Sequence, residues 1–190
     1  VKALGRIGPA AIPTLVRLAE DRDRTIRLAA VTVLVDSYSD HNDSLTVLIA
    51  ALSDKNDCRF AVRLLASMGS EAKAAVPALA RELNDNSDAQ LRRDRLGNYR
   101  QSVAEALGKI GPEASATLVE ALRGNDPIAR RWSALALARI RPVAQSTVQA
   151  LTTALSDEDS FVRSSTAEAL GQIGPDAAAS LPALVEVLRD

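Results

Sequence analysis

The 190-residue sequence contains one cysteine, Cys58, and one histidine, His41. A single thiol excludes an intrachain disulfide and a zinc cage of several cysteines, and it makes a reducing, cytoplasmic compartment the expected setting. The lone histidine, in Asp40-His41-Asn42-Asp43, has no patterned partner for metal ligation and reads as a solvated loop residue. Aromatics number five (Tyr38, Phe60, Tyr99, Trp132 and Phe161), too few for a core of large rings. Neither charge dominates: 23 Lys+Arg face 24 Asp+Glu, which argues against general polyanion binding. No stretch approaches the about eighteen uninterrupted apolar residues of a spanning helix, and no basic-then-apolar leader opens the chain, so no membrane is expected. Also missing are G-x-x-x-x-G-K-[ST], G-x-G-x-x-G, G-x-S-x-G and H-E-x-x-H, which removes the sequence basis for phosphate-loop, dinucleotide, serine-hydrolase and zincin chemistry.

What is abundant is small and aliphatic. Hydrophobic residues make up 47% of the chain, and 34 Ala with 25 Leu account for 31% of it. These residues recur with a period of about thirty-one. Leu4-Gly5-Arg6-Ile7-Gly8-Pro9 returns as Leu107-Gly108-Lys109-Ile110-Gly111-Pro112 and Leu170-Gly171-Gln172-Ile173-Gly174-Pro175, with looser copies at Leu34, Leu65 and Leu137. A second column repeats Leu-x-x-x-Leu at Leu48/Leu52, Leu79/Leu83, Leu118/Leu122, Leu151/Leu155 and Leu184/Leu188, with Leu15/Ala19 as the sixth. Six units follow, each of two helices. In the first helix apolar residues fall at helical spacing, as in Phe161, Val162, Ala167, Ala169, Leu170 and Ile173, and its closing Gly supplies a left-handed stop. Pro13, Pro77 and Pro182 occupy the first turn of second helices, where a missing N–H costs little. No alternating strand pattern competes, so the chain is read as all-α.

Polar residues share the period. Asp23, Asp54, Asp126 and Asp159 lie eleven residues before the next first-column Leu, where an N-cap is needed. Arg27, Arg100, Arg130 and Arg163 lie seven before theirs, placed to reach carbonyls or carboxylates of the adjacent unit. Cys58 takes the Arg position in the third unit, so that rung is absent or passes to Arg59.

The run from Leu155 through Asp159, Val162, Arg163, Ala169 and Leu170 to Gly174-Pro175 resembles the HEAT repeat in its bacterial form, similar to the repeats of phycobilisome lyases. The resemblance covers essentially the whole chain and is weakest from Val31 to Leu52. It implies a right-handed α-solenoid of about six helix pairs forming a single domain over 1–190, with first helices convex and second helices lining a concave surface. It implies no particular chemistry and no cofactor, because such repeats serve mostly as scaffolds. HEAT-like di-iron hydroxylases use repeated His-Glu pairs, and this chain has none.

The expected function is a non-enzymatic scaffold that binds another protein or peptide along the concave face. Two positions after each second-helix anchor stand Arg17, Ala50, Arg81, Glu120, Thr153 and Glu186, a stripe running from basic to acidic that suits a partner with acidic groups toward the N-terminal units. The connection near 84–100 is about nine residues longer than the others and concentrates Arg92, Arg93, Arg95 and Arg100 beside Tyr99, a second contact element for an acidic partner or else a solvated helix or loop. Two alternatives stand beside this reading: a bilin-lyase-like enzyme or chaperone subunit, and a nucleic-acid binder using Arg130-Arg131-Trp132 for base stacking. Trp132 is otherwise expected to pack between first helices. Val1 opens inside a first helix and Asp190 closes a second one without a polar capping unit, so covalent neighbours in a longer chain are expected.

Overall fold

The structure, a computed structural model, describes residues 3, 6–38, 42–54, 57–85, 87 and 99–187. Among the described residues the regular elements are all helical. They are α1 (Ile12–Leu18), α2 (Arg24–Tyr38), α3 (Asn42–Ala51), α4 (Cys58–Met68), α5 (Val76–Asn84), α6 (Tyr99–Ile110), α7 (Ser115–Leu122), α8 (Pro127–Leu137), α9 (Gln145–Ala154), α10 (Ser160–Ile173) and α11 (Leu181–Val187). The pairing follows the repeat, with α2/α3, α4/α5, α6/α7, α8/α9 and α10/α11 as first and second helices and α1 as the second helix of the first unit.

First helices stack on one another, α2 on α4, then α6, α8 and α10. Second helices form the other layer, α1 on α3, α5 on α7 and α7 on α9, and each from α1 to α9 also packs on the following first helix. The two leucine columns are what these layers bury. Leu34, Leu65, Leu107, Leu137 and Leu170 of the first and Leu15, Leu48, Leu79, Leu118 and Leu151 of the second are all removed from solvent. Each contributes about 2 kcal/mol of burial. Small residues set the spacing between first helices: a Cβ on Gly108 would stand 3.0 Å from the Ala136 carbonyl oxygen, so α6 and α8 meet almost backbone to backbone. The core runs from Val31 to Ala177 without a break at the long connection, because α5 packs directly on α6.

Three local expectations change. Gly69, Gly111 and Gly174 do end their helices at positive φ (57°, 98° and 75°), but with ψ of −130°, −147° and −134° they are mirror-extended and not left-handed helical, a region that strains any residue with a side chain. The fifth unit has Arg141 in that column, and α8 ends at Leu137, three residues sooner in register than α6 or α10. The Arg141 Nη1 donates to the carbonyls of Ala138 (2.7 Å) and Ile140 (2.9 Å), so its side chain holds the turn that follows the shortened helix. Phe161, counted among the apolar residues of α10, is 65% exposed in the first turn of the helix, where its ring faces the Arg131 guanidinium of α8 and not the core.

The acidic and basic columns tie unit to unit. Asp23, Asp126 and Asp159 cap their helices by accepting from the amides of Thr25 (2.8 Å), Ile128 (2.9 Å) and Phe161 (2.9 Å). Asp54 does not cap α4, which begins at Cys58; Asp57 sits at the cap position, and its carboxylate accepts from Arg24 Nε (3.2 Å) and Arg27 Nε (2.7 Å) of the preceding unit. Two guanidiniums outbid a neutral amide for the same oxygens. Arg100 pairs with Asp126, and Arg130 grips Asp157 through Nε to Oδ2 (2.8 Å) and Nη2 to Oδ1 (2.9 Å). The hydrogen bonds to Asp57 and Asp157 hold Arg27 and Arg130 above the ordinary arginine range. In the third unit Cys58 is buried, and the guanidinium of Arg59 lies over the Tyr99 ring, 5.9 Å from its centroid, so a cation–π contact joins the third and fourth units.

Candidate partner-binding surface

The second-helix stripe is a surface feature. Arg17, Ala50, Arg81, Glu120, Thr153 and Glu186 are exposed, one on each second helix, while the anchors two residues before the first five of them are fully buried. The 3.6-residue period puts i and i+2 on opposite sides of a helix, so burying Leu15, Leu48, Leu79, Leu118 and Leu151 turns these side chains outward. Arg17 and Arg81 stand toward the N-terminal end of the row and Glu120 and Glu186 toward the other.

Depressions open between several neighbouring second helices and take stripe residues into their walls. A cavity of about 420 Å³ lies between α1 and α3 beside Ala50, and one of about 230 Å³ between α3 and α5 includes Arg81. Between α7 and α9 a cavity of about 490 Å³ is edged by Arg123, Thr153 and Glu158. The largest, about 970 Å³, opens between α9 and the turn Gly174–Ser180 and is lined by Arg141, Gln145, Gln149, Thr152, Thr153 and Asp176 among others. Its walls come from two units, so inspection of one repeat at a time missed Gln149 and Asp176. The signal was Arg141, a charged side chain in the column where four other units have Gly.

The long connection divides differently from expectation. Asn84 is helical, Tyr99 and Arg100 open α6, and Arg92, Arg93 and Arg95 lie outside the described residues. Tyr99 is not available to a partner: its ring is fully buried and its hydroxyl donates to Glu82 Oε2 at 3.0 Å. Arg100 is equally buried on Asp126. Both face inward because α6 begins at Tyr99 and its first turn packs against α5, a boundary that the composition of the segment does not mark.

On the first-helix side Trp132 is half-buried in a depression of about 180 Å³ among Gln101 and Glu105 of α6 and Glu168 and Gln172 of α10, as its place between first helices requires. The Arg131 guanidinium lies 4.6 Å from the Trp132 ring centroid and 5.6 Å from that of Phe161. Arg130, the other basic residue of that motif, is committed to Asp157. Among the described residues no group of three or more His, Cys, Asp or Glu is gathered as for a metal ion, and no helix is long and apolar enough to cross a membrane. His41 lies outside those residues.

Known proteins match this architecture. A chain from the structure "Structural Basis of Microtubule Plus End Tracking by XMAP215, CLIP-170 and EB1" aligns over 92% of this chain and 88% of its own, at 21% identity and a TM-score of 0.58. An engineered protein aligns over 94% and 89% at 20% identity and a TM-score of 0.53, and a designed armadillo repeat protein over 93% and 87% at 17% identity and 0.50. Identities this low establish the fold alone. No curated protein matches the sequence significantly. The family model for HEAT repeats matches residues 1–59 and 115–190, more than two thirds of the sequence, and the chain therefore belongs to the HEAT-repeat family.

Proposed function

We propose that this protein is a non-enzymatic scaffold whose second-helix face holds a protein or peptide partner. The supporting observation is the row of six exposed side chains, one per second helix, with depressions opening beside several of them. A row with one position per repeat suits a partner laid along it, since each unit offers one side chain to successive partner residues. The row changes sign, so the partner places acidic groups at Arg17 and Arg81 and basic groups at Glu120 and Glu186. Arg92, Arg93 and Arg95 add a second basic contact from the long connection. Base stacking lacks a platform on this reading, because Trp132 is engaged between helices and Arg130 in a rung.

The test compares the chain with its Arg17→Glu/Arg81→Glu variant in parallel capture from source lysate, with bound proteins identified and their affinities measured directly. Both arginines are exposed, so the variant keeps its stability within about 0.5 kcal/mol. The expected outcome is a partner bound about five- to tenfold more weakly by the variant, with the difference shrinking as salt rises. Equal affinity of every captured protein for both forms overturns the reading.

A further inference from the structure

The first-helix layer carries a cation without a counter-charge. Arg131 is half-buried on α8, its guanidinium 4.6 Å from the Trp132 ring centroid and 5.6 Å from that of Phe161. Among the described residues it makes no hydrogen bond and no ion pair, and its Nε is buried with no acceptor. Arg130, the preceding residue, gives Nε and Nη2 to Asp157 and Nη1 to the Gly124 carbonyl. A guanidinium carries five N–H donors in a fixed fork, and one withdrawn from water without an oxygen acceptor leaves them unsatisfied.

The surface around this cation breaks the repeat. Nine residues before the first-column leucine stand Thr25, Asn56 and Asn98 in the second to fourth units, but Ile128 and Phe161 in the fifth and sixth. Ile128 is 38% exposed and Phe161 is 65% exposed, so neighbouring first helices turn large apolar side chains to solvent where earlier units have polar ones. Ile128 lies one turn before Arg131 on the same side of α8, and Phe161 lies across from it on α10. Arg131 is thus flanked by both.

We infer that this patch is a second docking site, on the layer opposite the second-helix row, for a protein segment that carries one carboxylate beside a large apolar side chain. The carboxylate accepts from Arg131, and the apolar side chain covers Ile128 and Phe161. Charge complementarity selects the acid: the guanidinium is unmatched, and the rings beside it hold it in place before anything binds. A polyanion suits the surface poorly. Glu158, in the turn before α10, has a side chain 87% exposed, and Glu168 is exposed in the depression beside Trp132, so successive phosphates would meet like charge.

The experiment selects a display library of random heptapeptides on the full chain, with the Arg131→Gln/Phe161→Ser variant as counter-target. Enriched peptides, made synthetically, are then titrated into the chain while the emission of Trp132, its one tryptophan, is followed. The expected peptides share an Asp or Glu beside a large apolar residue and shift the Trp132 emission saturably. Arg131→Gln and Phe161→Ser each weaken binding about fivefold. Replacing the peptide's acid by its amide does the same on the unaltered chain, a comparison that no folding defect can mimic. Arg17→Glu/Arg81→Glu leaves the affinity unchanged, so this site stands or falls apart from the second-helix row. Failure to enrich peptides of this class, equal binding to the double variant, or an unmoved Trp132 emission overturns the inference. So does an equal emission shift with a single-stranded oligonucleotide, or a concentration-dependent dimer that Phe161→Ser dissolves, which assign the patch to nucleic acid or to a second copy.

Discussion

Arg130 and Asp157 face each other across the boundary between the fifth and sixth units as a two-bond fork, Nε to Oδ2 at 2.8 Å and Nη2 to Oδ1 at 2.9 Å, with both side chains largely buried. A planar guanidinium matches a carboxylate in this geometry, and little water remains to screen the pair. The contact fixes how one rigid helix pair sits on the next, which is the property a stacked-repeat scaffold depends on.

Removing one partner of this fork leaves a mostly buried charge unmatched. Arg130→Ala is expected to cost about 3 kcal/mol in urea unfolding. Arg24→Ala takes away an arginine whose side chain is 59% exposed and leaves Arg27 on the same Asp57, so it costs about 0.5 kcal/mol or less. Equal effects of the two substitutions contradict the assignment of stability to burial of the rung.

One buried hydroxyl works against the fold. Thr166 is fully buried, its Oγ1 has no hydrogen-bond partner among the described residues, and Val103 occupies the same register position on α6. Thr166→Val keeps the shape and removes the unsatisfied group, so stability is expected to rise by about 1 kcal/mol, read as a higher Tm. A lower Tm means the hydroxyl has a role that its surroundings do not reveal.

Two glycines of the same motif respond in opposite directions. Gly111→Ala puts a Cβ on a residue with φ of 98° and ψ of −147° and costs about 1–3 kcal/mol. Gly171 lies inside α10 with open space beside it, so Gly171→Ala is expected to stabilise by about 0.5–1 kcal/mol through helix propensity. Thermal unfolding of the two variants side by side checks the sign of each.

Tyr99→Phe deletes the hydroxyl that donates to Glu82 and is expected to cost about 1 kcal/mol. Partner affinity stays unchanged, because the ring is buried beneath Arg59. A variant of normal stability with weakened partner binding would return Tyr99 to the contact surface.

Much of this architecture is legible in the residues alone. The two leucine columns identify the buried face of every helix, and Asp23, Asp126 and Asp159 mark helix starts that the structure repeats. The outward row from Arg17 to Glu186 follows from the same phase, since a helix that buries i turns i+2 to solvent. Asp54 shows where the reading stops: it stands where the other units have their cap, but α4 begins three residues later in register, so the cap position and the rung both fall to Asp57.

Periodicity alone therefore determined the all-helical class, the pairing of helices, the arginine column and the exposed row, because each depends on contacts that recur at fixed spacing along the chain. The tertiary structure decided which acid each arginine takes, that Tyr99 and Arg100 turn inward while Phe161 turns outward, and where recesses open between second helices. Those outcomes rest on distances between one unit and the next, set by how closely small residues let two backbones approach, and no single repeat encodes them.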